Sequence, residues 1–341
     1  HPVIVKTTRV AGALHDLAIW GQSIYVAGEQ PQFSNWDVGA IHIIKLGSDY
    51  WLTSLGNIGT AGWACGVAVA GTRAYIADYS AGLQVIDCSD PANPEIVGVA
   101  DTPGLAMDVA VSGTHAYVAD GESGLQIIDI TNPQSPHIVA SMDTQGTAKG
   151  LVVSGTRAYV ADGLRGLRIF DITDPENPDA LPSVETPGDA CAVAVSGGHA
   201  YVADFAQGLQ IIDLEGPQSP RIATNVPVAR TASKYLGVAM SGRHACVADL
   251  ANAMWIIDTL APAEPANGVD IIGTGRSIAV QGGRAYVAAG PGGLQVIDVS
   301  NPANPVVAGA GSTPGFANRI AVAGSHAFIA DDGAGLQIIE L

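Results

Sequence analysis

The sequence predicts an all-β fold, a single eight-bladed β-propeller with four antiparallel strands per blade. Three observations carry that expectation. One aromatic-centred segment recurs end to end, its tyrosine position falling at Tyr25, Tyr75, Tyr117, Tyr159, Tyr201, Cys246, Tyr286 and Phe328, most often 42 residues apart. Each copy breaks into short apolar runs separated by Gly, Pro and Asn, the punctuation of strands and tight turns. The last copy stops one strand short, and the first residues of the chain supply a run of matching character.

In the copy around Tyr117 the expected strands are Ala106–Val111, His115–Ala119, Leu125–Ile130 and His137–Met142. Turns fall at Ser112-Gly113, between Gly121 and Gly124, and at Asn132-Pro133. Four strands per copy make one blade. The last copy reaches Leu341 just after Gly335–Glu340, without a fourth strand. His1–Val10 resembles the fourth-strand segment Pro136–Thr144, so residues 2–9 are expected as the outer strand of the last blade. That closes the ring and removes an exposed edge. The expected organisation is one domain over residues 1–341 in repeats of about 42 residues. The chain begins at His1 rather than methionine, which fits either a processed or a trimmed chain.

The segments Gly124–Asp129 and Gly166–Asp171, GLQIID and GLRIFD, are each followed by a turn of the form D-x-[ST]-[ND]-P-x-x-P. This pattern resembles the LVIVD repeat of bacterial and archaeal β-propellers and covers nearly the whole chain. The resemblance implies a propeller, often in secreted or surface proteins, and no single activity.

Composition narrows the function classes. Hydrophobic residues make up 48% and charged residues 14%, as suits strands buried on both faces. No apolar run is long enough to span a bilayer. A net charge of −17 argues against binding nucleic acid through its phosphates. Cys65, Cys88, Cys191 and Cys246 form no CxxC pair, and they read as free thiols rather than a disulfide framework. No nucleophile elbow, HExxH, P-loop, dinucleotide fingerprint or calcium loop occurs, and no cofactor is expected.

Residues that repeat are read as structural. Asp78, Asp120, Asp162, Asp204, Asp249 and Asp331 close the second strand, and Asp87, Asp129, Asp171, Asp213, Asp258 and Asp298 close the third. Both columns are expected to accept local backbone N–H groups in Asx-type turns. The first turn repeats a basic residue: Arg73, His115, Arg157, His199, His244, Arg284 and His326. Such a rim could hold an anion or bond within its own blade.

Function is sought where the copies differ. The position entering the innermost strand reads His15, Cys65, Met107, Lys149, Cys191, Leu236, Arg276, Asn318, and the next reads Asp16, Gly66, Asp108, Gly150, Ala192, Gly237, Ser277, Arg319. Variety and polarity thus gather at the channel mouth, a concave place suited to a ligand. Arg276, Arg319, Asn318, Lys234 and Lys149 are the candidate anion ligands, since guanidinium and ammonium groups recognise carboxylate and phosphate. The competing reading pairs Arg276 and Arg319 with Asp16 and Asp108 as a plug. An insertion from Glu29 to Val38 should overhang the same mouth, offering Phe33 and Trp36 for stacking. Trp63, Tyr79, Phe205 and Phe316 come from loops on that face. His15, Cys65 and Met107 would suit copper, but equivalent positions in neighbouring blades do not converge, and no metal site is expected. The sixth copy carries Cys246 for tyrosine and Met254-Trp255 for Leu-Gln, with Trp255 read as filling the space beside the smaller Cys246.

The expected function is an extracytoplasmic binding or scaffold protein with a site for an anionic small molecule or acidic glycan. One alternative is an enzyme at the same mouth, a lyase or hydrolase acting on an acidic sugar or carboxylate. In it His15 or Tyr235 would serve as base or acid and Asp16 would orient His15. Another is a platform for protein partners.

Overall fold

The computed structural model describes residues 3–8, 14–20, 23–29, 39–46, 52–62, 65–90, 93–216, 219–227, 235–249, 251, 253–260, 262, 267–312, 317, 319–323, 326–330 and 336–340. The chain divides into two compact units. One comprises Thr8–Asp162 with Arg168–Leu181, the other His1–Thr7, Gly163–Leu167 and Pro182–Leu341. Among the described residues there is no helix, and every strand lies in a four-stranded sheet.

The sheet around Tyr117 sets the pattern. Its strands are Asp108–Ser112, His115–Ala119, Leu125–Asp129 and His137–Met142, antiparallel and in chain order. The first begins two residues later than expected. Ala106 leaves the sheet because it exchanges backbone bonds with Tyr79 of the preceding sheet, at 3.0 and 2.9 Å. The same order repeats from Leu14 to Gly311. The last sheet runs Val3–Thr8, Leu336–Glu340, His326–Ala330, Arg319–Ala323, so the N-terminal strand takes its edge. The insertion after Glu29 lies outside the described residues.

The hairpins follow from the turn residues. Gly197 and Gly198, both at positive φ (57° and 76°), join Ser196 to His199, the geometry of a two-residue turn that matches strand twist. The second strand is the centre of each sheet. Ala116, Tyr117, Val118 and Ala119 are each at most 2% exposed, buried on both faces. In one unit Tyr75, Leu83 and Val85 pack on Val109, Ile128 and Ile130 of the next sheet, and Tyr117 packs on Leu151 and Phe170. In the other, Tyr201 and Ile211 pack on Trp255 and Ile257. Burying each such side chain is worth about 1.5–3 kcal/mol.

Asp249 forms the expected local turn, accepting from the Ala251 amide at 2.9 Å, but four other aspartates closing the second strand bond over a longer range. Asp78, Asp120, Asp162 and Asp204 are fully buried. Each accepts from the hydroxyl of a threonine 18 residues earlier: Thr60, Thr102, Thr144 and Thr186, at 2.7, 2.7, 2.6 and 2.6 Å. The backbone amides of Gly62, Gly104 and Gly188 donate to the second oxygen of Asp78, Asp120 and Asp204 at 2.9, 2.8 and 2.9 Å. These donors lie on the segment linking the preceding sheet to the carboxylate's own, so each pair is a strut between sheets. The turn itself survives without it. Ala289 stands at this position, yet its N–H still reaches the Gly293 carbonyl at 2.8 Å, as the Asp120 N–H reaches Gly124. There the threonine is also gone: Ile271, 18 residues earlier, packs with Ala289 in one apolar cluster.

The third strand supplies a further donor. Gln84, Gln126, Gln210 and Gln295 are buried beside these turns and donate to the carbonyl three residues back. Arg168 takes that place in one sheet and donates to the Thr144 carbonyl at 3.0 Å and to Asp162 at 3.4 Å. Trp255 takes it in another, and its Nε1–H donates to Asp249 at 3.0 Å. This corrects the space-filling reading of Trp255. Cys246 pairs with Ile256 and Trp255 with Val247, so the two side chains lie on opposite faces and in different clusters. The indole instead lies over Gly268, where an added Cβ would meet it at 2.0 Å.

Burial raises the carboxyls of Asp78, Asp162 and Asp204 to about 6, and raises Asp120 as well. The threonine hydroxyls pull the other way, while Asp101, Asp143 and Asp189 beside Asp120, Asp162 and Asp204 add to the rise. In the unfolded chain these groups titrate near 3.8. The native state therefore holds their protons more tightly. Their contribution to stability is full below about pH 4 and is lost as pH rises through about 6.

Two outcomes are expected. Asp120→Ala strands Thr102 and Gly104 donors and costs about 2–4 kcal/mol. The pair Thr102→Ile with Asp120→Ala, copying Ile271 and Ala289, costs less than the sum of the single changes by about 1–2 kcal/mol. A double-mutant cycle by urea denaturation checks this, and strict additivity would refute the strut. Second, the unfolding midpoint falls between pH 5 and pH 7, and the triple change Asp78→Asn, Asp162→Asn, Asp204→Asn flattens that slope. A slope unchanged in the triple variant would assign it to other groups.

Candidate functional site

The entrance to the innermost strand is one backbone place occupied by different side chains. Cys65, Met107, Lys149, Cys191 and Arg276 each donate the main-chain N–H to the last residue of the second strand in their own sheet. The acceptors are Ala77, Ala119, Ala161, Ala203 and Ala288, at 2.8, 2.8, 2.9, 2.9 and 3.0 Å. All five side chains are half-buried. Constant geometry with a changing side chain is what the sequence column predicts. His15 is the extra residue of a bulge, since pairing passes from Leu14↔Gly28 to Asp16↔Ala27. Tyr235 opens its strand opposite Asp249, and Arg319 opens its strand opposite Ala330. For His15, Asp16, Tyr235 and Arg319 the backbone alone is described. Lys234, Asn318, Phe33, Trp36, Trp63 and Phe316 lie outside the described residues.

Within each unit the first strands of successive sheets lie side by side. Tyr235–Ser241, Ser277–Gln281 and Arg319–Ala323 neighbour one another in one unit, and Gly66–Ala70, Asp108–Ser112 and Gly150–Ser154 in the other. Arg276 thus enters between strands that Tyr235 and Arg319 open. Asp108, expected as a counter-ion for arginine, accepts from the Val109 amide at 2.9 Å and from the Leu151 amide of the next sheet at 3.1 Å. It staples adjacent strands. Among the described residues no group of three or more His, Cys, Asp or Glu is placed to hold a metal ion. Cys65, Cys88, Cys191 and Cys246 form no disulfide, and burial pushes the Cys88 and Cys246 thiols up to about 12.

The turn after the second strand adds a feature that sequence reading grouped only as loop aromatics. Gly121, Gly163 and Gly290 follow the strut position at φ of 58°, 57° and 54°. Tyr79 and Phe205 occupy the same place at φ 50° and 48°. Tyr79 lies against Ala106, next to the entrance residue Met107.

The opposite end of each sheet is charge-balanced. Arg73, His115, His199, His244 and Arg284 sit directly across from Asp87, Asp129, Asp213, Asp258 and Asp298. Here the Asx turns do form: the third-strand aspartates accept from the amides of Ser89, Thr131, Thr173, Glu215, Leu260 and Ser300. The Ser89 amide for Asp87 and the hydroxyls of Thr131, Thr173 and Ser300 for the others hold Asp87, Asp129, Asp171 and Asp298 below the usual carboxylate range, and the facing basic groups assist. Each of these basic residues thus faces a carboxylate of its own sheet.

The model of the LVIVD repeat matches the chain seven times, over residues 61–102, 103–144, 145–186, 187–227, 234–267, 272–313 and 314–340. The chain belongs to the LVIVD repeat family. No curated protein matches it by sequence. Its fold is similar to the computationally designed Ika8 protein, with a TM-score of 0.82, 9% identity and full coverage of both chains. It is similar to Sqt1 from Saccharomyces cerevisiae at 0.78 and 10%, and to BamB from Moraxella catarrhalis at 0.75 and 12%. Those two alignments cover 100% of this chain and 98% of the other. The fold is a β-propeller repeat fold.

Proposed function

We propose that this LVIVD-repeat chain is a single-domain, eight-bladed propeller outside the cytoplasm that binds an anionic small molecule or acidic glycan at the channel mouth. Eight copies of the repeat, and a last sheet whose edge is Val3–Thr8, support a ring closed by residues 2–9. The observation that carries the binding reading is the entrance position. Five described residues share one backbone hydrogen bond and differ in chemistry, while strands, struts and the opposite rim repeat. A scaffold that only needed to fold would repeat here as well. Lys149 and Arg276 bring cations to this position in a chain of net charge −17, and Arg319 opens a strand beside that of Arg276. By sequence position, Lys234 adds a cation and Asn318 a neutral amide donor beside these entrances, and Phe33, Trp36 and Trp63 are the candidates for stacking. A guanidinium takes a carboxylate or phosphate through paired N–H groups, which suits a half-buried arginine better than a surface ion pair.

A thermal-shift panel of uronates, sugar phosphates and small carboxylic acids tests the site. A ligand that binds only the native state adds about 2.7 kcal/mol at a concentration one hundred times its Kd. At least one acidic compound should raise the melting temperature, and Arg276→Ala with Arg319→Ala should abolish the shift. No shift with any acid, or an equal shift in the variant, would overturn the anion reading. Deleting residues 1–9 tests closure. An opened ring exposes a strand edge and should melt lower by about 5 °C or more, whereas an unchanged midpoint would refute closure.

A further inference from the structure

Tyr79 and Phe205 stand where the fold asks for glycine. At the residue after the strut position, Gly121, Gly163 and Gly290 have φ of 58°, 57° and 54°, and the two aromatics hold φ 50° and 48°. This left-handed conformation is almost free for glycine and strained for a bulky L-residue. The same turn closes in all these repeats through the same backbone bonds, Gly82 to Tyr79 and Gly208 to Phe205 at 3.4 Å, Gly124 to Gly121 at 3.2 Å. Folding the turn therefore does not require the ring. Strained residues concentrate at ligand-binding places, and the inference runs from the outlier to the function.

The surroundings give the ligand's chemistry. Tyr79 exchanges two backbone bonds with Ala106, which fixes its half-buried side chain at a position flanked by Leu105, 40% exposed, and half-buried Met107. One repeat on, the corresponding positions are Gly121 and Lys149. In that unit an aromatic, apolar entrance is followed by a cationic one on the neighbouring strand. In the other unit Phe205 precedes the strands opened by Tyr235, Ser277 and Arg319, with Arg276 at the entrance of the second. Aromatic followed by cation, in repeat order, is complementary to a chain of sugar rings bearing carboxylates. The apolar face of one pyranose rests on the aromatic ring, and the carboxylate of a neighbouring residue meets the ammonium or guanidinium.

We infer that Tyr79 and Phe205 are each a stacking platform for a uronate-containing oligosaccharide, one platform in each unit. The inference rests on the anion reading for the carboxylate contact and adds the extended, polymeric nature of the ligand.

The test measures binding of oligogalacturonate, monomeric galacturonate and a neutral xylo-oligosaccharide by calorimetry, together with the melting temperature. The proteins are wild type, Tyr79→Gly and Phe205→Gly. Each glycine variant should melt at or above wild type, by up to about 2 °C. Each should lose about tenfold in affinity for the oligomer, while monomer binding stays unchanged. A melting temperature clearly below wild type would make the ring a packing element and overturn the inference. So would an unchanged oligomer affinity, or no oligosaccharide binding by wild type. If no acidic sugar binds but the neutral oligomer does, and the glycine variants lose it, the anion reading fails while the stacking platforms stand.

Discussion

At the end of the second strand the chain buries a carboxylate, and leaving such a group unpaired in an apolar interior costs several kcal/mol. The repeat meets that cost with a threonine hydroxyl and a glycine amide from the linking segment. The distance in sequence is what makes the arrangement matter. A bond to a residue 18 positions earlier fixes how one sheet hands the chain to the next. The entrance residue of the innermost strand lies on that same linking segment, five positions after the threonine, as Met107 follows Thr102. The strut therefore places the backbone of the variable position.

Repeats lacking the strut show that its members work as a unit. Where aspartate becomes Ala289, threonine becomes Ile271, and the pair packs in an apolar cluster. In the first repeat, Gly28 and Val10 occupy the two places in the sequence. Neither partner is retained alone, as expected when a lone buried carboxylate or hydroxyl would go unsatisfied. The third-strand column shows the same logic with a different currency of residue types. Gln126, Arg168 and Trp255 differ in size and charge but each presents an N–H donor beside the strut. Chemistry is kept there although residue identity is not.

Strand order, turn positions and the packed aromatic column were legible in the sequence because they follow from alternation and from Gly, Pro and Asn at fixed intervals. The strut was not, because an aspartate at a strand end suggests a partner among its nearest neighbours, whereas its donors lie 18 and 16 residues earlier. Its signal was nonetheless present: Thr60, Thr102, Thr144, Thr186, Thr231 and Thr313 all precede an aspartate by 18 residues. Trp255 was misplaced for a related reason. Comparing volumes suggested that it replaces the missing tyrosine ring, whereas strand parity puts it on the other face, over Gly268. The entrance column was legible as a position, through the misfit of its residues, and five of its members share one backbone bond. What its side chains do together was not legible, since sequence order fixes neighbouring strands but not convergence of side chains. The left-handed turn at Tyr79 and Phe205 was hidden because those two copies lack the glycine that announces it.

A chain carrying −17 charges is an unlikely captor of anions only if charge is averaged over its surface. At physiological salt the field of a distant carboxylate is screened within about 8 Å. What a bound anion meets is the set of groups within reach of the entrance. On the opposite rim the basic residues face carboxylates in the same sheet and the Asx turns hold those carboxylates ionised. At the entrance, Lys149 and Arg276 lie at positions whose equivalents are Cys65, Met107 and Cys191. The acids near the struts, Asp101, Asp143 and Asp189, precede the entrance by six, six and two residues. They would discourage an anion from resting elsewhere on the linking segments. If an anion binds there, long-range repulsion slows encounter and local cations decide residence, so added salt should raise both the association and the dissociation rate, with opposing effects on affinity. That division separates selective capture from the general anion affinity of a basic protein, and it requires the cations to be few and held by a rigid backbone, as the entrance bonds provide.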